Sequence, residues 1–317
     1  MLKMIVKRGI ELLLSLFLIA TATFFLLSAI PGDALSAQTD RLPEDARQQV
    51  YKNSGLDKPV LERYVITVKN MAHGEFGESI VTPGQTLSSA LKEKLPASAR
   101  LGIQQMILGI PLGLLLGILA AVYKNTWVDR SVTVVSLLLM SVPSLVLGLL
   151  LQSFFGGRLG LFPIIGWPEG SEQWLGGWNF TILPTIAGGI GYIAVYARLL
   201  KNSMLDVLSS DYIQTAYAKG LSGRKVVMRH VVRNAFIPLI TSLPVTIAFG
   251  ITGSVFIESI FVIPGIGQFF VQALTNRDVP IILGETVFLA AIYIVALFIT
   301  DILYSLVDPR IKLIDEN

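Results

Sequence analysis

Any chemistry in this chain must be done with few reactive groups. There is no cysteine, and His73 and His230 are the two histidines. Disulfides, thiolate nucleophiles and multi-histidine metal sites are therefore excluded. No Gly-Lys dipeptide occurs in the sequence, so the chain has no phosphate-cradling P-loop. If ATP drives this protein, the hydrolysis resides on other polypeptides. Two carboxylates, Glu11 and Glu285, fall inside long apolar runs, where an ionisable residue is by default a functional candidate. Glu11 lies near the end of its run and can snorkel to an interface. Glu285 leaves two readings open, a structural one and a place on a substrate pathway. His230 stands without an evident acidic partner and reads as structural rather than as a proton carrier. The informative polar stretch is 206–238, DVLSSDYIQTAYAKGLSGRKVVMRHVVRNAFIP.

The elements that must position these groups are set by composition. The chain has 317 residues, of which 53% are apolar and 15% charged, with mean hydropathy +0.66. Soluble domains carry about a quarter charged residues, so too little polar surface is available here for a soluble fold. A helix crosses the hydrocarbon core in roughly 20 apolar residues at about 1.5 Å each. Six windows satisfy this: Ile10–Ile30, Leu101–Tyr123, Ser131–Phe155, Phe180–Ala197, Ala235–Ile257 and Ile281–Thr300. Lys3, Lys7 and Arg8 before the first window resemble a secretory signal. The run is too long, and Ser28-Ala29-Ile30-Pro31 too poor a cleavage site, for that reading.

Lys and Arg in short loops mark the cytoplasmic side. They cluster before the first window, at Lys124 and Arg130, between the fourth and fifth windows, and at Arg310 and Lys312. Both termini are therefore expected in the cytoplasm. The segment of about 31–100 is expected outside, with short helices at Glu44–Ser54 and Val60–Met71. Gly109, Gly113 and Gly117 recur every fourth residue, the spacing of a close helix–helix contact.

Within the polar stretch, Leu205, Leu208, Tyr212, Ala216 and Lys219 fall about one turn apart, which predicts an amphipathic helix. Gly220 can end it in the left-handed conformation, and Ser222 can cap a second helix to about Arg233. A helix–glycine–helix knuckle with small residues at its turn suits insertion into a partner's groove. A basic helix lying on anionic lipid headgroups fits the same pattern.

Gln214-Thr215-Ala216-Tyr217-Ala218-Lys219-Gly220 resembles the EAA loop of ABC-importer permeases. Ala216 and Gly220 match that motif, while Gln214 and Thr215 depart from its first two letters. Leu221, Ser222, Arg229, His230, Arg233 and Asn234 continue the resemblance toward the peptide and nickel branch. So do Ile30-Pro31-Gly32-Asp33, Gly74 to Ser79, Leu95 to Ser98, Glu258 to Phe261, Pro264 to Gly267, Arg277 to Pro280 and Asp308 to Ile311. The order is similar to that of B-type permeases of oligopeptide and dipeptide importers.

The resemblance implies an all-α integral membrane protein of six transmembrane helices with the type I ABC-importer permease fold. A small extracytoplasmic cap would lie between helices 1 and 2. The implied divisions are 1–30 for the N-terminus and first helix, 31–100 for the cap, and 101–317 for the permease core. Within that core, about 201–234 would form the coupling loop. Implied partners are a homologous C-type permease, two cytoplasmic P-loop ATPase subunits and an extracytoplasmic peptide-binding protein. ATP and Mg would sit on the ATPases, with no metal or cofactor on this chain. Nickel or another small solute is the alternative cargo. An ion-coupled secondary transporter is disfavoured, because the four middle windows hold no charged residue. An intramembrane enzyme is disfavoured because the two histidines fall on opposite sides of the membrane.

Overall fold

The computed structural model describes residues 2–29, 43–53, 55–170 and 172–307. The motifs at Ile30–Asp33 and Asp308–Ile311, with Arg310 and Lys312, lie outside the described residues. Among the described residues the regular structure is helical, apart from one isolated bridge between Glu78 and Thr86.

The chain begins with α1 (Leu2–Ala29), α2 (Glu44–Asn53) and α3 (Val60–Ala72), followed by α4 (Leu87–Val122) and α5 (Trp127–Ser141). Next come α6 (Ser144–Leu151), which runs into a π-turn at Gln152–Arg158, then α7 (Glu172–Leu175) and α8 (Trp178–Leu208). Then follow α9 (Asp211–Ala218), α10 (Gly223–Val226), a second π-turn at Val227–Val231 and α11 (Val232–Ala235). The chain closes with α12 (Ile237–Ile251), α13 (Val255–Phe261), α14 (Ile266–Thr275) and α15 (Val279–Val307).

Five stretches are long and apolar enough to cross a membrane: Arg8–Ala29, Leu87–Val122, Glu172–Leu208, Ile237–Phe261 and Val279–Tyr304. The third expected span, Ser131–Phe155, is broken. Trp127–Ser141 and Ser144–Arg158 meet at 94°. The cause is local: Val142 is extended, at φ −85 and ψ 118, ahead of Pro143. A residue preceding proline is pushed out of the helical region by the ring.

Two compact units divide the chain: Met1–Pro96 with Pro264–Val295, and Ala97–Ile263 with Ala296–Asn317. In the first, α3 lies against α1. Thr21 Oγ1 and Tyr64 Oη share a hydrogen bond of 2.8 Å, and the Tyr64 ring stacks 5.0 Å from Phe25. Asp278 clamps the segment around Ser79. Its carboxylate accepts from Ser79 Oγ and from the Ile80 N–H at 3.2 Å, and Gly77 packs on Pro280. Two stretches distant in sequence thus form one turn-to-turn contact. Glu11 is paired with Arg8 at 3.0 Å.

In the second unit the glycine stripe of α4 is a helix contact, as its spacing predicted. A Cβ on Gly113 would stand 2.7 Å from the Ile193 carbonyl oxygen, and one on Gly117 2.7 Å from that of Ala197. Gly109 meets the Gly189 carbonyl in the same way. These helices approach backbone to backbone, a distance at which only a glycine fits. Arg100 is buried between Trp167 and Trp178 and donates to the carbonyls of Glu172, Gln173 and Gly176. It thereby closes the C-terminal end of α7, where the Glu172 carbonyl also accepts from the Gly176 N–H at 3.0 Å.

Candidate functional site

The polar loop 209–236 folds differently at its entrance from the single amphipathic helix expected there. The stripe from Leu205 to Lys219 is interrupted: α8 runs on to Leu208, and α9 starts afresh at Asp211. Ser209 Oγ donates to the Asp206 carbonyl at 2.7 Å, competing for the backbone groups that would have continued the helix. Asp211 then sits in the first turn of α9, where a negative charge complements the helix dipole.

The turn after α9 is the one the sequence predicted. Gly220 has φ +78. The Gly220 N–H donates to the Tyr217 carbonyl at 2.9 Å and the Leu221 N–H to the Ala216 carbonyl at 3.3 Å. That pair of bonds is a Schellman motif. No atom lies within 4 Å of where a Cβ on Gly220 would stand, so conformation alone calls for glycine. Ser222 occupies the position before α10 with extended backbone, but its hydroxyl makes no capping bond. Its carbonyl instead accepts from the Val226 N–H at 3.0 Å. The second arm passes through the wide turn Val227–Val231 before α11.

Ile213, Ala216, Val226, Val231 and Ala235 form one apolar cluster with Leu200 and Met204 of α8 and Ala121 of α4. Ala216 is 8% exposed, so its small side chain serves packing inside this chain rather than a tip offered outward. Gln214, Gly220, Ser222, Arg229 and Arg233 are exposed, and Leu221, His230 and Asn234 half-buried. Exposed apolar groups, Tyr217 and Met228, share this surface. Asn234 Nδ2 donates to the Tyr212 hydroxyl at 3.1 Å and to the His230 carbonyl at 2.8 Å. Asn234 therefore ties the two arms together. In the sequence Tyr212 reads only as part of an apolar stripe.

A second feature missed in the sequence is the pair Lys201–Asp129. Lys201 Nζ bonds the Asp129 carboxylate and, at 2.7 Å, Thr133 Oγ1. Asp129 also accepts from the Asn125 N–H at 2.9 Å. In the sequence Lys201 reads as free loop charge, and nothing in its spacing reveals a partner 72 positions away (201 − 129).

The comparisons with known proteins bear on this geometry. The profile of binding-protein-dependent transport system inner membrane components matches residues 113–313, and its N-terminal companion matches 1–92. The chain belongs to that family. It is 42% identical over 313 residues to the dipeptide transport system permease protein DppB of Lactococcus lactis subsp. cremoris, covering 99% of this chain and 100% of that protein. Identity is 36% to DppB of Bacillus subtilis, covering 99% of both chains. It is 34% to the oligopeptide transport system permease protein OppB of Escherichia coli, covering 98% of this chain and 100% of that protein. A crystal structure of an amino acid ABC transporter with histidines has TM-score 0.50 and 15% identity, over 71% of this chain and 95% of that one. This supports the ABC-permease fold.

As a member of this family the chain is a multi-pass inner-membrane transport component, not an enzyme. ATP hydrolysis belongs to separate subunits. Among the described residues no group of three or more acidic or histidine side chains could hold a metal. Glu285 is fully buried within the first unit. His73 accompanies the end of α3, with Nδ1 2.8 Å from the Lys69 carbonyl, in a unit separate from that of His230.

Proposed function

We propose that this chain is the membrane-spanning permease subunit of an ATP-driven peptide importer, forming half of the translocation pathway. Its peptide cargo rests on full-length relatives named for dipeptide and oligopeptide transport. The observation that carries the coupling role is the Asp211–Ala235 knuckle. Its inner face is packed into α8, while Gln214, Gly220, Ser222, Arg229 and Arg233 are left outside. An ATPase subunit gripping that surface moves α8 with it. Leu221, His230 and Asn234 support the surface from beneath, and Ala216 joins it to the core.

In this reading both termini are cytoplasmic, residues 31–100 form an extracytoplasmic cap and residues 101–317 the permease core. The complex contains a homologous C-type permease, two P-loop ATPases that bind ATP and Mg, and an extracytoplasmic peptide-binding protein. Glu285 is a second, acidic candidate for the pathway. Its burial means that α15 must shift during the cycle to expose it.

The test is reconstitution of the four kinds of subunit in liposomes, with labelled di- and tripeptides outside. Uptake is expected to require both ATP and the binding protein. Uptake that followed an imposed proton gradient without ATP would overturn the reading.

A further inference from the structure

α3 (Val60–Ala72) belongs to the stretch read as an extracytoplasmic cap, yet its surface is not that of a helix in water. Leu61 is 69% and Val65 62% exposed. Successive helical residues turn by about 100°, so Leu61, Val65, Val68 and Ala72 share one face. Glu62, Lys69 and His73 share the next face and are exposed, and Glu62 pairs with Lys58 at 3.0 Å. No residue of α3 is fully buried. Packing within this chain therefore does not account for the apolar face.

The contacts of Tyr64 give the depth of this helix. Its hydroxyl lies 2.8 Å from Thr21 Oγ1, and its ring 5.5 Å from that of Phe24 and 5.0 Å from that of Phe25. All three α1 residues fall within the apolar stretch Arg8–Ala29. At the helical rise per residue, Phe25 is about 6 Å and Thr21 about 12 Å short of the end of that stretch. Thr21 Oγ1 donates to the Phe17 carbonyl at 2.7 Å, so its one proton is committed and Tyr64 donates to it. This relay satisfies both hydroxyl protons within the protein, as polar groups in hydrocarbon require. Phe17, Leu18, Phe25 and Leu26 of α1 are exposed around the contact, so the apolar face of α3 continues the apolar surface of a span.

We propose that α3 is seated in the membrane interface at the C-terminal end of α1, with Leu61, Val65 and Val68 against lipid acyl chains and Glu62 and Lys69 toward the headgroups. Interfacial helices sink their apolar face about 5–10 Å into the boundary between headgroups and chains. The depth that Tyr64 reaches on α1 agrees with that figure. Lipid, rather than a protein partner, is the occupant because the same surface on α1 already meets the bilayer. The inference goes beyond the importer reading and needs only that α1 cross the membrane. The segment after α1 is then a helix leaning on the bilayer, not a lid standing free in water.

The chain is naturally free of cysteine, so single nitroxide labels can report this depth. Leu61→Cys, Val65→Cys, Lys69→Cys and Leu26→Cys are each labelled in the whole complex, assembled with cysteine-free partner subunits. The complexes are reconstituted in vesicles of phosphatidylcholine and phosphatidylglycerol. The readout is each label's collision rate with molecular oxygen, which concentrates in hydrocarbon, divided by that with a water-soluble nickel chelate. Leu26, exposed on α1, is the membrane reference, and Lys69 is the polar one.

The oxygen-to-nickel ratio for Leu61→Cys and Val65→Cys is expected to be several-fold above that for Lys69→Cys and close to that for Leu26→Cys. Equal ratios at 61, 65 and 69 would place α3 in water and overturn the proposal. Labels at 61 and 65 that are immobilised and shielded from both reagents would show a protein covering the face, which overturns it as well. A membrane-like label at 26 beside water-exposed labels at 61 and 65 fails α3 alone. Access of the nickel chelate to position 26 would instead overturn the span of α1, and the seat of α3 with it.

Discussion

Gly220 shows how much a single residue can fix. With φ +78 and nothing within 4 Å of a Cβ position, the residue is required for its backbone and not for its size. Gly220→Val is expected to cost about 1–3 kcal/mol of local strain and to abolish ATP-dependent uptake while the spans still insert. Gly220→Asn, which tolerates the left-handed region, should retain most uptake. Equal loss in both variants would mean that side-chain bulk at the partner's surface, and not conformation, sets the requirement. Lys201 is a second such point. Lys201→Ala leaves Asp129 half-satisfied in a buried setting, an expected loss of about 1–3 kcal/mol. Asp129→Ala/Lys201→Ala together should cost less than the sum of the two single changes, because the pair acts as a unit. Thermal midpoints in detergent measure both. Additive losses would show that the ion pair contributes nothing of its own. Gly220 was legible in the sequence because a positive φ has a residue signature. The Lys201–Asp129 pair was not, because long-range pairing of two ordinary charges leaves no local trace.

Helices carry the next level. The glycine stripe at 109, 113 and 117 was readable as a contact face from its spacing, but its partner was not. The structure supplies α8, with the Ile193 and Ala197 carbonyls against the stripe. Gly113→Ala places a methyl group 2.7 Å from a backbone oxygen and should destabilise by about 1–3 kcal/mol, the usual cost of overpacking. Gly191→Ala, with open space around its Cβ position, should melt like the parent protein. The same midpoint for both variants would remove the stripe from the packing. The break at Val142–Pro143 has one sequence mark, Pro143 inside the window Ser131–Phe155. Membrane helices often accommodate proline, so sequence alone does not distinguish a mild kink from the observed 94° bend. The halt of α8 at Leu208 was missed for a related reason. The apolar stripe continues in register across Ser209 and Ser210, and periodicity is blind to a break that preserves its phase.

At the scale of the whole molecule, the sequence reading rested on apolar windows and on where Lys and Arg accumulate. The windows found their helices because hydropathy follows directly from the solvent that a segment must meet. The side on which each loop lies depends on the membrane around the chain, so orientation is tested in cells. Ser222→Cys should be shielded from an impermeant thiol reagent in intact cells, and Asp57→Cys should be labelled. Labelling of position 222 from outside would invert the arrangement.

The backbone contact between α4 and α8 also has a mechanical meaning. Two helices meshed at three glycines cannot slide past each other without breaking contact, so they turn as one body. α8 has 31 residues, which makes it about 46 Å long, and its far end meets the knuckle almost directly. A tilt of about 5° about one end would carry the other by about 4 Å, given the rise per residue. In the coupling role proposed above, the glycines would give a small displacement at the loop leverage over the depth of the bilayer, and lengthening any one of their side chains would loosen that contact.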